Sequence, residues 1–419
     1  MNTRTQSIYR KGMKIRPFLF AILFSGLAYG FYRGVQDNYL AEIVHITKFE
    51  RGIVEFFREL PGLLLIFILA AMYRFSETKV FKIGTAIMLS GVIGILFLGT
   101  SKVLVILSMV IFSSGEHIVM PMKHSLSLTL ANKGKGGASL GIISSISHGG
   151  NIVGFLGVSA LFLLFTAFGI PKGSVTGFRV VFIIAAVLLV LSTLIALTMK
   201  DQGKSVQRSR IYFHKKFSKY YMLEVFYGAR KQIFLTFAPY VLILFYGADT
   251  SVIAFLLAIC AAFGMVLSPL IGRLIDRLGY KTIMISDTLI LMVVCFFYGF
   301  AHRMFPMHIA FIVVCINFVL DSVISLASMA SNVYVQDLSS TPEEMTATIT
   351  TGISVNHLIS VIIALLGGLI WEKLGIEILF TLSALLGLAN TLYAATIKKP
   401  VNQMDYSQTS GNQVLEEKT

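Results

Sequence analysis

The strongest constraint on the fold is a succession of long apolar segments separated by short polar connectors. One connector, Gly272 to Lys281, carries four charged residues and two glycines between the apolar stretch 251–271 and the stretch 282–300, which is apolar apart from Asp287. A helix of about 20 apolar residues crosses a hydrocarbon core of about 30 Å, and both flanks are close to that length. The connector is therefore predicted to be a tight turn at a membrane surface.

The composition indicates a helical membrane protein, because 56% of the residues are hydrophobic and only 13% are charged. In lipid, every backbone polar group must find a partner within the protein, so only helices and closed barrels span the bilayer. The alternation typical of barrel strands is not seen. We expect an all-α membrane protein with about twelve transmembrane helices, near 17–40, 52–73, 80–99, 103–122, 138–168, 178–198, 218–246, 251–274, 281–301, 308–335, 347–371 and 376–397.

The distribution of basic residues predicts that both termini are cytoplasmic. Cytoplasmic connectors of membrane proteins are rich in Lys and Arg. Here such residues cluster in the N-terminal tail, in the loop around 200–219 and in the connectors after spans two, four and eight, whereas the opposite connectors hold few. The connector after span ten is an exception, because it carries three acids and no Lys or Arg.

The chain is predicted to consist of two pseudo-symmetric six-helix halves. The longest polar interruption separates six spans from six, and halves of equal helix number are a transporter design. A short internal similarity, between the stretches 29–36 and 227–232, supports duplication. The predicted units are a basic tail at 1–16, an N-terminal bundle at 17–199, a basic linker at 200–216, a C-terminal bundle at 217–397 and a tail at 398–419.

Several other classes of protein are excluded or disfavoured. The net charge of +14 is explained by the loops, so no nucleic-acid partner is expected. The three cysteines fall in apolar spans and read as small buried hydrophobes. The sequence has no zinc-ligand spacing and no Gly-x-x-x-x-Gly-Lys-Ser/Thr loop. We therefore expect no cofactor, no metal and no enzymatic activity. The absence of an Asn-x-Ser/Thr sequon favours a multi-pass protein of a bacterial cytoplasmic membrane.

The twelve spans, the basic loop at mid-chain and the pattern Gly272-x-x-x-Asp276-Arg277-x-Gly279-x-Lys281 after span eight resemble the major facilitator superfamily of secondary transporters. The resemblance implies alternating access, with spans one, two, four, five, seven, eight, ten and eleven around a central cavity. It also implies a gating role for those five patterned residues. The equivalent first-half turn, 71–79, keeps basic residues but lacks the glycines and the aspartate.

The same turn can be interpreted from its residues alone. Glycine permits close approach of backbones, which we expect at Gly272 and Gly279. Asp276 is suited to cap or pair at a neighbouring helix N-terminus. The alternative interpretation is a topology signal combined with a tight turn.

Charged and polar side chains inside the spans indicate a substrate path, because each is tolerated in the bilayer only when it is paired or hydrated. They concentrate in the spans that the resemblance places around the cavity. The candidate substrate-binding or coupling residues are Arg33, Asp37, Arg58, Glu59, Glu116, His148, Asn151, Glu224, Arg230, Asp321, Asn356 and His357.

Two of these candidates form the most specific hypothesis. Arg33 in span one and Arg230 in span seven are predicted to hold an anionic group, as in similar organophosphate antiporters of this superfamily. Lys231 points about 100° away from Arg230, so at most one of the two is expected to face the cargo. The alternative is that ion pairs such as Arg33 with Asp37, and Arg58 with Glu59, only fix the helices.

Other polar residues carry weaker expectations. Imidazoles titrate near neutral pH, so His148 and His357 are either proton relays or hydrogen-bond anchors. Residues near the span ends, Glu55 among them, are expected at the interface with water.

The predicted function is secondary active transport of a small polar solute, with an anion as the specific hypothesis and with a coupling proton or a counter-transported anion as partner. A multidrug or lipid exporter on the same fold is the first alternative. A transport-incompetent membrane sensor or scaffold is the second. The identity of the solute and the direction of transport stay open.

Overall fold

A computed structural model describes residues 8–9, 15–132, 135–171, 173–201, 203 and 212–397. Most of the predicted tail at 1–16, most of the linker at 200–216 and the whole tail at 398–419 lie outside these residues. The described residues are almost entirely helical, apart from an isolated bridge between Tyr9 and Ala131.

The first half contains six spans, of which the second is broken. They are α1 (Ile15–Glu42), α2a (Lys48–Leu63), α2b (Leu65–Ala71), α3 (Glu77–Leu98), α4 (Lys102–Leu130), α5 (Gly136–Ala167) and α6 (Val175–Leu197). The proline at position 61 of α2a removes a helical hydrogen bond, and the helix breaks at Leu64.

The second half repeats this number of spans. They are α7 (Ser218–Leu244), α8 (Thr250–Leu278), α9 (Tyr280–Met304), α10a (Met307–Ile324), α10b (Met329–Leu338), and α11 and α12 within Pro342–Ala395. Gly375 has φ 89° and ψ 173°, which divides that last element into α11 at 342–374 and α12 at 376–395.

The predicted number of twelve spans is confirmed in the described part of the chain. Nine helices there are long and apolar enough to cross a membrane, and the element divided at Gly375 counts twice. The two spans that this criterion omits are α2 and α7. The break at Leu64 leaves α2 as two helices that are each too short, whereas the buried charges of α7 lower its hydropathy.

Odd and even helices run in opposite directions, so the connectors alternate between two sides. We call the side with the connectors 71–77, 130–136 and 338–342 the terminal side, and the opposite side the distal side. The halves meet mainly where α2a packs on α11 and where α5 packs on α8.

Hydrogen bonds close the distal side. The Tyr240 hydroxyl on α7 donates to the Ile46 carbonyl at 2.8 Å, and the Asn38 amide on α1 donates to the Ala248 carbonyl at 3.1 Å. A Cβ at Gly52 of α2a would lie 2.3 Å from the Ala364 carbonyl oxygen of α11. An apolar core continues through both halves, whereas a second cluster around Tyr220 and Tyr280 on the terminal side belongs to the second half.

Glycines also bring α1 and α5 together within the first half. A Cβ at Gly30 would lie 2.5 Å from the Asn151 carbonyl oxygen, and one at Gly154 would lie 2.6 Å from the Leu27 carbonyl oxygen. The Asn151 side-chain amide, with its nitrogen facing α1, donates to the Gly26 carbonyl at 2.9 Å. Asn151 therefore fastens α5 to α1.

The turn between α8 and α9 is as tight as predicted, because only Gly279 separates the two helices. Its φ of 80° and ψ of 149° lie in a region that is almost restricted to glycine. The close approach predicted at Gly272 and Gly279 is wrong, since a Cβ at either position would meet no described atom within 4 Å. Backbone conformation, rather than packing, explains the glycine at 279.

Substitution of Gly279 by alanine is expected to lower the free energy of unfolding by about 1–3 kcal/mol, the usual cost of a strained backbone. Gly272→Ala is the matched control, because position 272 is helical and open and alanine favours a helix by about 0.5–1 kcal/mol. Thermal unfolding in detergent measures both. Equal melting temperatures for the two variants would contradict the assigned turn.

Candidate functional site

A fully buried arginine, Arg51, lies between α1 and the second half. Its guanidinium donates to Asp37 of α1 at 2.9 Å and to Glu55, one turn along α2a, at 2.8 Å. It also lies over the ring of Tyr240 on α7, 5.6 Å from the ring centre. These contacts compensate the cost of burying three charges. The interfacial position predicted for Glu55 is wrong, because its side chain is 0% exposed.

The ion pairs continue from α2a to the second half. Arg58 donates to Glu55 at 2.5 Å and to Glu59 at still shorter range. Glu59 Oε2 lies 2.9 Å from Nδ1 of His357 on α11. The predicted pair of Arg58 with Glu59 is therefore present, and it is extended by His357. Glu59 and His357 form a direct polar link between the halves.

A cavity of about 210 Å³ lies beside this network. Its lining residues include the basic Arg33 of α1 and Lys231 of α7 and the acidic Asp321 of α10a. The other lining residues are Tyr227, Phe234, Leu235, Pro239, Leu257, Cys260, Phe318, Ser322 and Ser325. Arg33 also lies 3.4 Å from Asp37, as its helical spacing predicts.

Arg230 has a different environment from Lys231. Its side chain is 2% exposed, and its guanidinium lies 3.5 Å from the carboxylate of Asp287 on α9. It also lies over the ring of Tyr227. Lys231, and not Arg230, therefore lies with Arg33 in the lining of the cavity. Arg230 instead forms an ion pair between α7 and α9. Direct binding of cargo by Arg230 stays a prediction.

Three further predicted residues lie outside the lining of this cavity. Glu224 on α7 is buried, and it accepts hydrogen bonds from Ser331 of α10b at 3.0 Å and from Asn356 of α11 at 3.2 Å. These bonds join three helices of the second half. His148 is exposed on α5. Glu116 on α4 is partly buried, and its charge acts on Arg58.

The predicted gating residues Asp276, Arg277 and Lys281 form no hydrogen bond or ion pair with one another in this structure. Asp276 and Arg277 are exposed in the last turn of α8 and make no hydrogen bond or ion pair with any described residue. Lys281 instead donates to the Ile397 carbonyl, after the end of α12, at 2.9 Å. The gating role predicted from the family pattern stays a prediction.

An acidic residue from outside the first-half turn lies close to it. Asp201, just after α6, lies 3.8 Å from Lys79 and accepts a hydrogen bond from the Gly203 N–H at 3.0 Å. The Ser76 hydroxyl, followed by this N–H, holds the pKa of Asp201 below its ordinary value. Asp201 therefore supplies a carboxylate near the turn 71–79, which lacks the family aspartate.

Sequence reasoning missed three site residues. Arg51 stood just outside the predicted second span, although its spacing of four from Glu55 was a signal. Asp287 lies near the middle of span nine, which the resemblance placed outside the cavity. His117, whose ring centre lies 5.3 Å from that of His357, became informative only when α4 and α11 were brought together.

Two helical halves around a charged cavity at their junction define a membrane transporter fold. The family model of the Major Facilitator Superfamily matches residues 18–351 and 220–414. The chain belongs to this superfamily, and it is a multi-pass membrane transporter and not an enzyme. No curated protein sequence matches it significantly.

Solved structures share the fold at low sequence identity. The nucleoside transporter NupG has a TM-score of 0.71 and 14% identity, over 92% of this chain and 100% of that one. A D-xylose-proton symporter has a TM-score of 0.71 and 14% identity, over 92% and 98%. A POT family transporter in complex with 5-aminolevulinic acid has a TM-score of 0.71 and 12% identity, over 94% and 99%.

Proposed function

We propose that this protein is a secondary active transporter of small organic anions, working by alternating access between the halves 17–199 and 217–397. The observation that carries the proposal is the pair Arg33 and Lys231, one from each half, in the lining of one cavity. Similarity to nucleoside, sugar and peptide transporters supports a small solute.

The charges of the cavity favour an anion. Its lining combines two cationic side chains with the single carboxylate of Asp321. Charge-assisted hydrogen bonds to a carboxylate or phosphate are roughly twice as strong as neutral ones. Aromatic and aliphatic residues form most of the remaining wall, so the preferred solute carries an apolar body as well as its anionic group.

The cycle follows from where the halves touch. The distal side is closed by the contacts of α1 and α2a with α7 and α11, while Asp276 and Arg277 on the terminal side are unpaired. This supports an arrangement that opens to the terminal side. The basic connectors make that side cytoplasmic, in a bacterial inner membrane. An anion held by Arg33 and Lys231 would draw the halves together around it.

Asp321 is the proposed coupling residue. It lines the cavity and has no ion-pair partner within 4 Å among the described residues. A proton on this carboxylate would remove the one acidic charge of the cavity lining and strengthen anion binding. Proton and anion would then cross together. Exchange for a second anion is the alternative mode, in which Asp321 stays ionised.

Arg33→Ala and Lys231→Ala are each expected to weaken anion binding at least tenfold, because each removes a charge-assisted contact worth about 1.5 kcal/mol or more. The measurement is thermal stabilisation of the purified protein by phosphorylated, carboxylated, zwitterionic and lipophilic cationic compounds. Lys373→Ala, an exposed lysine on the distal side, is the control that should retain binding.

The same panel separates the alternatives. Aromatic residues of the wall, such as Phe234 and Phe318, favour a multidrug or lipid exporter as the second candidate. Stabilisation by lipophilic cations that persists in both variants would establish that candidate and reject the anion. Anion binding without any exchange in proteoliposomes would instead indicate a sensor.

A further inference from the structure

Three potential metal ligands meet at the junction of the halves. They are Glu59 of α2a, His117 of α4 and His357 of α11, and their ligand atoms all lie within 4.8 Å of one another. Glu59 is nearly buried and the two histidines are partly buried. The three residues are far apart in sequence, so no short ligand motif predicts the site.

Gly62 leaves space between the two imidazoles. A Cβ at this position would lie 2.6 Å from His117 Nε2 and 2.8 Å from His357 Nδ1. Any side chain at position 62 would therefore press on both imidazoles, at the break between α2a and α2b. The missing side chain leaves the two rings room to approach the carboxylate of Glu59.

A hydrogen bond within α4 orients His117 for metal binding. His117 Nδ1 lies 2.8 Å from the Ser113 carbonyl oxygen, within the same helix. That contact places the proton on Nδ1 and leaves the lone pair on Nε2. Histidines that bind metals usually donate their other ring N–H in this way, which fixes both tautomer and orientation.

We propose that Glu59, His117 and His357 form a binding site for a transition-metal ion of the Zn²⁺ type, which joins the two halves. Two imidazoles and one carboxylate are a known zinc set, with a fourth position open to water. Tetrahedral ligands about 2.1 Å from zinc lie roughly 3.4 Å apart. Small rotations of the side chains reach this geometry from the present separations. Imidazole ligands disfavour Mg²⁺ and Ca²⁺.

The charges around the site balance, and Glu59 supplies the anionic ligand. The carboxylates of Asp37, Glu55, Glu59 and Glu116 are matched by the guanidinium groups of Arg33, Arg51 and Arg58 and by the ammonium group of Lys123, which interacts with Glu116. Metal ions bind imidazole and carboxylate in their deprotonated forms, so the affinity falls as the pH is lowered.

The site ties two elements of the first half to one of the second. A bound ion would hold α2a and α4 against α11 and would oppose their separation. Zn²⁺ is therefore expected to inhibit solute exchange without competing for the cavity of Arg33 and Lys231. The binding itself is independent of the proposed cargo.

The test is calorimetric titration of the purified full chain with Zn²⁺, and with Co²⁺ to follow the visible spectrum of nitrogen and oxygen ligands. We expect one ion per chain, with affinity at least tenfold weaker in His117→Ala and in His357→Ala. Gly62→Ala keeps every ligand but occupies the space between the rings, and it should weaken binding similarly. His308→Ala, which alters an exposed histidine, should leave the affinity unchanged.

Other outcomes would overturn the proposal. Binding that persists in His357→Ala and Gly62→Ala but is lost in Cys260→Ala would place the ion on a thiol outside this cluster. Absence of saturable binding to the parent protein at neutral pH would reject the site. Melting curves of every variant, recorded without metal, separate loss of the ligands from loss of the fold.

Discussion

Replacing Arg51 by alanine is expected to destabilise the protein by about 3–5 kcal/mol, the usual cost of removing one partner from a buried ion pair. The substitution would leave Asp37 and Glu55 buried without their shared cation, and both side chains are at most 1% exposed. It would also remove the contact between α2a and the ring of Tyr240 on α7. The expected result is a large fall in melting temperature in detergent.

The control for Arg51 is an exposed arginine that also forms an ion pair. Arg303 is 66% exposed and contacts Glu377 at 2.5 Å, and such surface pairs contribute about 0–1 kcal/mol. Arg303→Ala should therefore melt close to the parent protein. The triple variant Arg51→Met, Asp37→Asn, Glu55→Gln should recover part of the loss, because the two carboxylates that Arg51 neutralises are removed with it and Arg58 keeps its contact with Glu59. Similar melting temperatures for Arg51→Ala and Arg303→Ala would show that the buried network does not stabilise the fold.

Gly52→Ala is expected to abolish most solute exchange by preventing tight closure of the distal side. The added Cβ would lie 2.3 Å from the Ala364 carbonyl oxygen of α11. A backbone oxygen cannot move aside as a flexible side chain does, so α2a and α11 must separate. Separation would favour the arrangement open to the distal side and would leave the alternating cycle strongly biased. We expect at least a tenfold fall in the exchange rate.

Distances between spin labels at Thr100 and Lys373, on the distal ends of the two halves, measure this separation directly. They should lengthen in Gly52→Ala. They should stay unchanged in Gly264→Ala, because no described atom lies within 4 Å of a Cβ at that helical position. If exchange falls while the label distance is constant, the effect of Gly52 is local and distal closure by this contact is refuted.

Local sequence patterns predicted the elements well, because span length and polarity reflect contact with lipid. The break of the chain into twelve spans and the tight turn at Gly279 were both visible as apolar runs and connectors. The pair Arg33 with Asp37 was predictable from its spacing of four on a helix.

Contacts between distant helices could not be predicted in this way. Glu55 and Arg51 stand near the start of a span, where charges normally meet water, yet both are fully buried, with Asp37 of α1 and Tyr240 of α7 against Arg51. Lys231 and Arg230 are neighbours in sequence, and only the rotation of α7 decides which one lines the cavity. Asp287 fell in a span expected to face lipid, and its partner on α7 lies 57 positions earlier in the chain.

The sequence by itself determined the class of the protein, since burial in a bilayer requires apolar runs of a fixed length whatever their order in space. It also determined which side chains are too polar to face lipid. The tertiary structure alone decided how those side chains pair, because the helix rotations and the contacts between α2a, α4, α7 and α11 select each partner. The ion-paired network, the cavity of Arg33 and Lys231, and the meeting of Glu59, His117 and His357 therefore follow from packing across the two halves.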